Sequence, residues 1–141
     1  MKIVDGSKVF IKNKKLNKYL FFLRDNKSGI PNPNMWGALG GGIEKGETPI
    51  QALKREIAEE SNIVIYDIKY LGSNKVEHFV KDTKHVITGY YFTALTDFEL
   101  DEIELFEGQR LDFFTLEEAK KMKNIAPPIL RAIDLYEKKL N

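Results

Sequence analysis

Between Gly40 and Ile63 the chain reads GGGIEKGETPIQALKREIAEESNI, and this stretch restricts the fold more than any other. Gly40, Gly41 and Gly42 make a loop whose backbone can approach a ligand closely, because no Cβ stands in the way. A charged turn follows and ends at Glu47. Thr48 then offers an N-cap, Pro49 takes the first helical position, where its missing N–H costs nothing, and Gln51 completes a capping box. Ile50, Leu53 and Ile57 recur at helical spacing and supply a stripe to bury. Glu56, Glu59 and Glu60 fall at i, i+3 and i+4, so their carboxylates leave one face of that helix within little more than a turn.

Like charges so close together repel, and on an isolated helix they destabilise it mildly. A solvated acidic face is the usual fate of such a run. The alternative is a divalent cation, and ligands that offer only oxygen favour Mg²⁺ or Mn²⁺ over zinc. The spacing of the whole stretch decides for the cation. It resembles the Nudix hydrolase signature, G-x5-E-x7-R-E-U-x-E-E-x-G-U with U aliphatic. Gly41, Glu47, Arg55, Glu56, Ile57, Glu59, Glu60 and Ile63 occupy eight of its nine specified positions. Asn62 stands at the ninth, where the family has glycine. A left-handed backbone is expected there, which asparagine tolerates next best after glycine, at a modest loss of stability.

The resemblance implies that Glu56, Glu59 and Glu60 bind the metal, that the Gly40 carbonyl completes its coordination, and that Glu56 also acts on the attacking water. Arg55 lies about 100° round the helix from Glu56 and so off its face. Its expected task is to pair with Glu47 or Glu44 and hold the loop against the helix. Further on, EGQRLDFFT opens at Glu107 and resembles the EGQ segment of MutT-type members. That likeness implies a further metal carboxylate in Glu107.

Composition bounds the rest. The 141 residues suit one domain, 1–141, and 43% hydrophobic with 30% charged content suits a soluble globular chain. A formal charge of +1 gives no electrostatic case for a nucleic-acid or membrane partner. The absence of cysteine excludes disulfides, thiolate zinc sites and thiol catalysis. The opening MKIVDGSKVFIKNKK has no signal-peptide h-region, and no segment reaches membrane-spanning length, so a cytoplasmic location is expected. A homodimer is left open.

Residues 8–12 and 18–24 read as two strands, with Arg24 at the end of the second as either a solvated residue or a fork for substrate phosphate. Residues 25–35 are a loop. The lone tryptophan, Trp36, is either a core anchor or a surface for stacking a base. Residues 63–77 and 85–96 suggest two or three strands around a turn at Gly72-Ser73-Asn74, with another turn at Lys81-Asp82-Thr83. The acidic run 97–107 is a solvated loop, and residues 109–114 make the last strand. A short helix follows from Thr115 to Lys121, then an amphipathic helix from Ala126 to Leu140 with Ile129, Ile133 and Tyr136 as its stripe. Asn124 is a helix-preceding loop residue or, by resemblance to MutT-type proteins, a base-reading asparagine.

These elements imply an α+β chain with a mixed sheet between helices. The resemblance implies the Nudix α/β/α sandwich and Mg²⁺-dependent hydrolysis of a nucleoside diphosphate linked to another group, a small-molecule nucleotide. The EGQ run favours a nucleoside triphosphate, cleaved to monophosphate and pyrophosphate. Nucleotide-sugar, ADP-ribose and dinucleotide pyrophosphatases share the same helix and remain alternatives. A non-catalytic nucleotide-binding module is the rival from another class, but such a protein is expected to have lost a metal carboxylate, and all three are here.

Overall fold

The computed structural model describes residues 4–30 and 32–140. Seven strands make one mixed sheet. Its central strand is β1 (Gly6–Asn13), where Val9 and Ile11 pack into one cluster, Phe10 into another, and all three are fully buried. That is the pattern of a strand covered on both faces. On one side β6 (Thr83–Thr96) runs parallel to β1 and β5 (Tyr66–Val80) pairs antiparallel with β6.

The other edge of β1 is shared between two partners. β2 (Lys18–Leu23) pairs with it only over Ile11–Asn13 and then diverges. Residues 36–42 fill the resulting fork. β3 (Trp36–Gly37) pairs with the end of β2, and β4 (Leu39–Gly42) pairs with the start of β1. The glycine run expected as a loop is therefore a short strand, its backbone groups satisfied by Gly6 to Val9. β7 (Arg110–Phe114) pairs with β2 on the side away from β1.

β5 and β6 form one long hairpin. It turns at Lys81 and Asp82, both at positive φ, as a type I′ turn requires. Gly72-Ser73-Asn74, expected as a turn, lies inside β5 instead. The pairing slips between Tyr70 and Gly72, so the irregularity is a bulge and not a reversal. Glycine there admits a close neighbour: a Cβ on Gly72 would stand 3.0 Å from Leu135.

α1 (Pro49–Glu60) begins with the capping box of Thr48 and Gln51. Its Leu53 and Ile57 pack against Val9, Ile11, Leu20, Phe22 and Phe92. α2 (Leu116–Lys120) carries a second capping box from Thr115 and Glu118. α3 (Pro127–Leu140) covers the opposite face, setting Ile129, Ala132 and Ile133 against Phe10, Phe21 and Tyr91. Helices thus sandwich the sheet, and truncating a fully buried residue such as Leu53 to Ala would cost roughly 2–5 kcal/mol.

Candidate active site

Where β1 and β2 part, a cleft of about 480 Å³ opens. Gly6, Gly37, Gly40, Gly41, Gly42 and Gly89 all line it, so much of its wall is backbone. Gly40 has φ 131°, and a Cβ there would overlap the Ser7 carbonyl, so no other residue fits. A Cβ on Gly41 would meet the Glu56 carboxylate. The helix can therefore lay that carboxylate against the strand only because residue 41 is glycine.

Glu56 and Glu60 enter the cleft from α1, and Glu107 enters from the segment before β7. Glu60 is only 4% exposed, and its Oε1 accepts the Gly40 N–H at 2.9 Å. Burial pushes its carboxyl up to about 7; Lys8 and the Gly40 N–H oppose the rise, while Glu56 and Glu107 add to it. Glu59 sits apart from these, with a side chain 57% exposed and 3.4 Å from Arg55 Nη1. Among the described residues, three carboxylate oxygens come within 4.8 Å of one another at Glu99, Asp101 and Glu102. That exposed trio belongs to the turn Leu100–Glu102, where the Glu99 N–H donates to Glu102 Oε1. The cleft carboxylates stand further apart, with Glu60 held by the Gly40 N–H and Glu56 by Arg55.

Arg55 performs the expected task and one more. Its Nε and Nη2 reach the two Glu47 oxygens at 2.8 and 2.9 Å, and Nη2 also donates to the Gly42 carbonyl at 2.8 Å, clamping the 42–47 turn to α1. It was expected to stand off the carboxylate face, yet Nη1 donates to Glu56 at 3.0 Å. The 100° offset describes where Cβ points, whereas a long guanidinium curls round the helix.

Lys8, Arg24 and Lys27 line the cleft with the carboxylates, and the first two feel their charge. Arg24 follows the end of β2 and lines the wall, as the phosphate-fork reading requires. Burial lowers its guanidinium from the usual value, against the pull of Glu60 and Glu107. Lys8 escapes sequence reasoning because KVFIK reads simply as a strand. Its Nζ donates to the Gly40 carbonyl at 3.0 Å, and burial lowers it too, although Glu60 opposes that. Register puts it there, since Lys8 pairs with Gly40 in the β1–β4 ladder.

Trp36 and Asn124 do not belong to this group. Trp36 is 7% exposed, packs edge-on against Phe114 at 5.1 Å and lies under Arg110, outside the cleft lining, which is the environment of a core anchor. Asn124 accepts the Trp36 N–H at its carbonyl and donates from Nδ2 to the Asn34 carbonyl at 3.3 Å. It ties loops together beside α3 and does not line the cleft. A residue that sequence reasoning passed over, Gln109, clasps the 25–35 loop by donating to the Arg24 carbonyl at 2.7 Å and to Asn34 Oδ1 at 2.9 Å. Its signal was the EGQ run itself.

The donors at this end of the cleft are all oxygen: Glu56, Glu60, Glu107 and the Gly40 carbonyl. Burial raises the Glu60 carboxyl above the usual range, Glu56 and Glu107 add to the rise, and an all-oxygen set of this kind fits a hard divalent cation. Fold and site together define a class: an α/β/α sandwich with helix carboxylates facing a glycine-lined cleft. The NUDIX domain family model matches residues 5–133, and the chain belongs to the Nudix hydrolase family, whose members generally use a divalent metal such as Mg²⁺. It is 34% identical over 82 residues to the NAD-capped RNA hydrolase NudC of Haemophilus influenzae (strain PittGG), a match covering 58% of this chain but only 28% of that protein. Solved structures with the same fold include the dihydroneopterin triphosphate pyrophosphohydrolase of E. coli, with TM-score 0.76, 19% identity and coverage of 98% and 99% of the two chains. The MutT protein of Methanosarcina mazei Go1 gives TM-score 0.73 at 16% identity, covering 98% and 95%. The NUDIX domain of Shewanella oneidensis NrtR, complexed with ADP ribose, gives 0.71 at 19%, covering 100% and 91%. No described helix is long and apolar enough to cross a membrane.

Proposed function

We propose that this chain hydrolyses a phosphoanhydride in a nucleoside diphosphate linked to another group, and that a nucleoside triphosphate is the substrate, split to monophosphate and pyrophosphate. The observation that carries this reading is the meeting of Glu56, Glu60 and Glu107 with Lys8 and Arg24 in one cleft. The carboxylates suit a divalent cation and the two basic groups suit phosphate; a phosphoanhydride needs both.

Glu56, Glu59, Glu60, Glu107 and the Gly40 carbonyl would hold the metal. Bound there, Mg²⁺ or its substitute Mn²⁺ supplies charge withdrawal from the phosphate oxygens and acidifies water. Glu56, which accepts a hydrogen bond from Arg55, would take the proton from the attacking water. Arg24 offers a planar fork to the phosphate oxygens. Glycine at 40 and 41 lets those oxygens lie against backbone. Val76, Ile87, Pro128 and Ile129 form an apolar wall at which a base could be buried.

A second reading has a specific observation behind it. A neighbouring cavity of about 570 Å³ shares Asn32, Val76 and Pro128 with the cleft and adds Lys75, Phe79 and Arg131. That space would take the second half of a nucleotide sugar, ADP-ribose or a dinucleotide. Incubation with Mg²⁺ and a panel of triphosphates, ADP-ribose, sugar nucleotides and dinucleoside polyphosphates, with products separated by chromatography, tests both. Fastest turnover of a triphosphate to monophosphate and pyrophosphate supports the first reading, and fastest cleavage of a larger compound supports the second. Binding without turnover of any of them, with either ion, would leave a nucleotide-binding module and end the enzymatic reading.

A further inference from the structure

Lys8 sets its ammonium on the same carbonyl that the proposed reaction gives to the metal. Its neighbours in the ladders, Gly40 on one side and Tyr91 on the other, fix its backbone in the cleft wall. Its ammonium donates to the carbonyl of Gly40, the oxygen already assigned to the metal. Glu60, Glu56 and Glu107 all attract it electrostatically, and Arg24 repels it. The Gly40 carbonyl has little freedom to turn away, because the backbone on both sides of it is held in the β1–β4 ladder, where Gly40 pairs with Lys8 and Gly41 with Ser7. An ammonium carries three donors on a flexible four-carbon stem, so it can leave one acceptor and keep its charge within reach of another.

We propose that Lys8 is a resident counter-cation that exchanges partners during binding. Without metal its ammonium holds the Gly40 carbonyl and offsets the acidic cluster. When a divalent cation takes that oxygen, repulsion moves the ammonium off it and toward the phosphate groups of the substrate, where Lys8 acts as a positioning residue. The inference rests on the phosphoanhydride reading for its second partner but not for its first. It makes an unusual demand, because removing a side chain from the site should improve metal binding.

The test compares the wild-type chain with Lys8→Met and Lys8→Arg. Mn²⁺ binding is followed by electron paramagnetic resonance, and imidodiphosphate binding by calorimetry in saturating Mn²⁺. Lys8→Met should bind Mn²⁺ alone about tenfold tighter, because a like charge has gone from beside the ion, and should bind imidodiphosphate about tenfold more weakly. Lys8→Arg keeps the charge and should stay within about twofold of wild type for Mn²⁺. A role in packing alone would predict weaker Mn²⁺ binding in Lys8→Met. Unchanged or weaker Mn²⁺ binding there overturns the proposal, as does a wild-type chain that binds no Mn²⁺. If Lys8→Met does not fold, Lys8→Gln is read by the same criteria. Tighter Mn²⁺ binding together with no hydrolysis of any nucleotide by the wild type would uphold the exchange at Gly40 while rejecting the proposed reaction.

Discussion

Asn62 and Glu104 grip each other twice: the Asn62 N–H donates to the Glu104 carbonyl at 3.1 Å, and the Glu104 N–H donates to Asn62 Oδ1 at 2.7 Å. Asn62 Nδ2 adds a bond to the Glu102 carbonyl at 3.1 Å. The expected left-handed backbone is not found, since Asn62 is absent from the described residues with positive φ. Its side chain is what the position uses. The grip lays residues 102–106 along the end of α1, where the Phe106 N–H donates to the Glu60 carbonyl at 2.7 Å, and Glu107 follows at once. Asn62→Gly, which the left-handed reading expects to be neutral or stabilising, should therefore destabilise the fold. Loss of two side-chain bonds plus the added freedom of glycine amounts to about 1–3 kcal/mol. A urea melt measures it, and an unchanged midpoint would show that the grip contributes nothing.

Gly41→Ala separates site geometry from stability. The three atoms nearest the new Cβ all belong to the Glu56 carboxylate, the movable end of a side chain, so the fold should survive with little change in Tm. Glu56 would be pushed off its contact with Arg55, however. Activity should fall on the order of 10²-fold in kcat, the scale set by misplacing a catalytic group by about 1 Å. Glu56→Gln should lose at least as much with the fold intact. If Gly41→Ala turns over normally, the Glu56 position seen here is not the working one.

How much of this is legible in the sequence depends on the range over which each signal acts. The cap, the proline and the apolar stripe of α1 all lie in one short stretch, so they can be read directly and hold in the structure, whereas of its three carboxylates only Glu56 and Glu60 line the cleft. Lys8 cannot be read that way, because its place comes from pairing with Gly40 across more than thirty positions of chain. Trp36 stays ambiguous until β3 pairs with β2 and turns the indole onto Phe114. Gly72 misleads because a glycine in a strand-like run marks a turn or a bulge equally well. Asn62 misleads in another way, since the family's glycine suggests a backbone requirement where this chain has substituted a side-chain one.

Gln109→Ala tests whether the 25–35 loop is a working wall of the cleft. The side chain ties the Arg24 carbonyl to Asn34, while Arg24, Asp25, Lys27, Ile30 and Asn32 line the opening. Both bonds are exposed, so the loss in stability should be no more than about 1–2 kcal/mol. Loosening this wall should weaken substrate binding more than chemistry. KM should rise roughly tenfold with kcat within about twofold. A fall confined to kcat would mean that Gln109 acts through Glu107 rather than through the loop.

Glu60 predicts how stability and metal binding change with pH. Its carboxyl sits at about 7 in the fold against 4.5 as the ordinary value, so the folded chain holds this proton more tightly than the unfolded one. A raised carboxyl favours the fold at low pH, and that contribution disappears as pH climbs from about 4.5 through about 7. In chelator the chain should thus lose on the order of 3 kcal/mol from this group between about pH 5 and about pH 8. Glu60→Gln, which carries no titrating proton, should flatten that slope. Divalent metal needs the ionised form, so Mg²⁺ affinity should rise across the same interval and binding should release a proton near pH 6 to 7, roughly. Urea melts in chelator and Mg²⁺ titration in two buffers of different ionisation enthalpy measure the two effects. Wild-type stability that keeps rising through neutral pH in chelator, with the same slope in Glu60→Gln, would mean that Glu60 is already ionised well below pH 7, and the acidic cleft would not hold the excess charge described here.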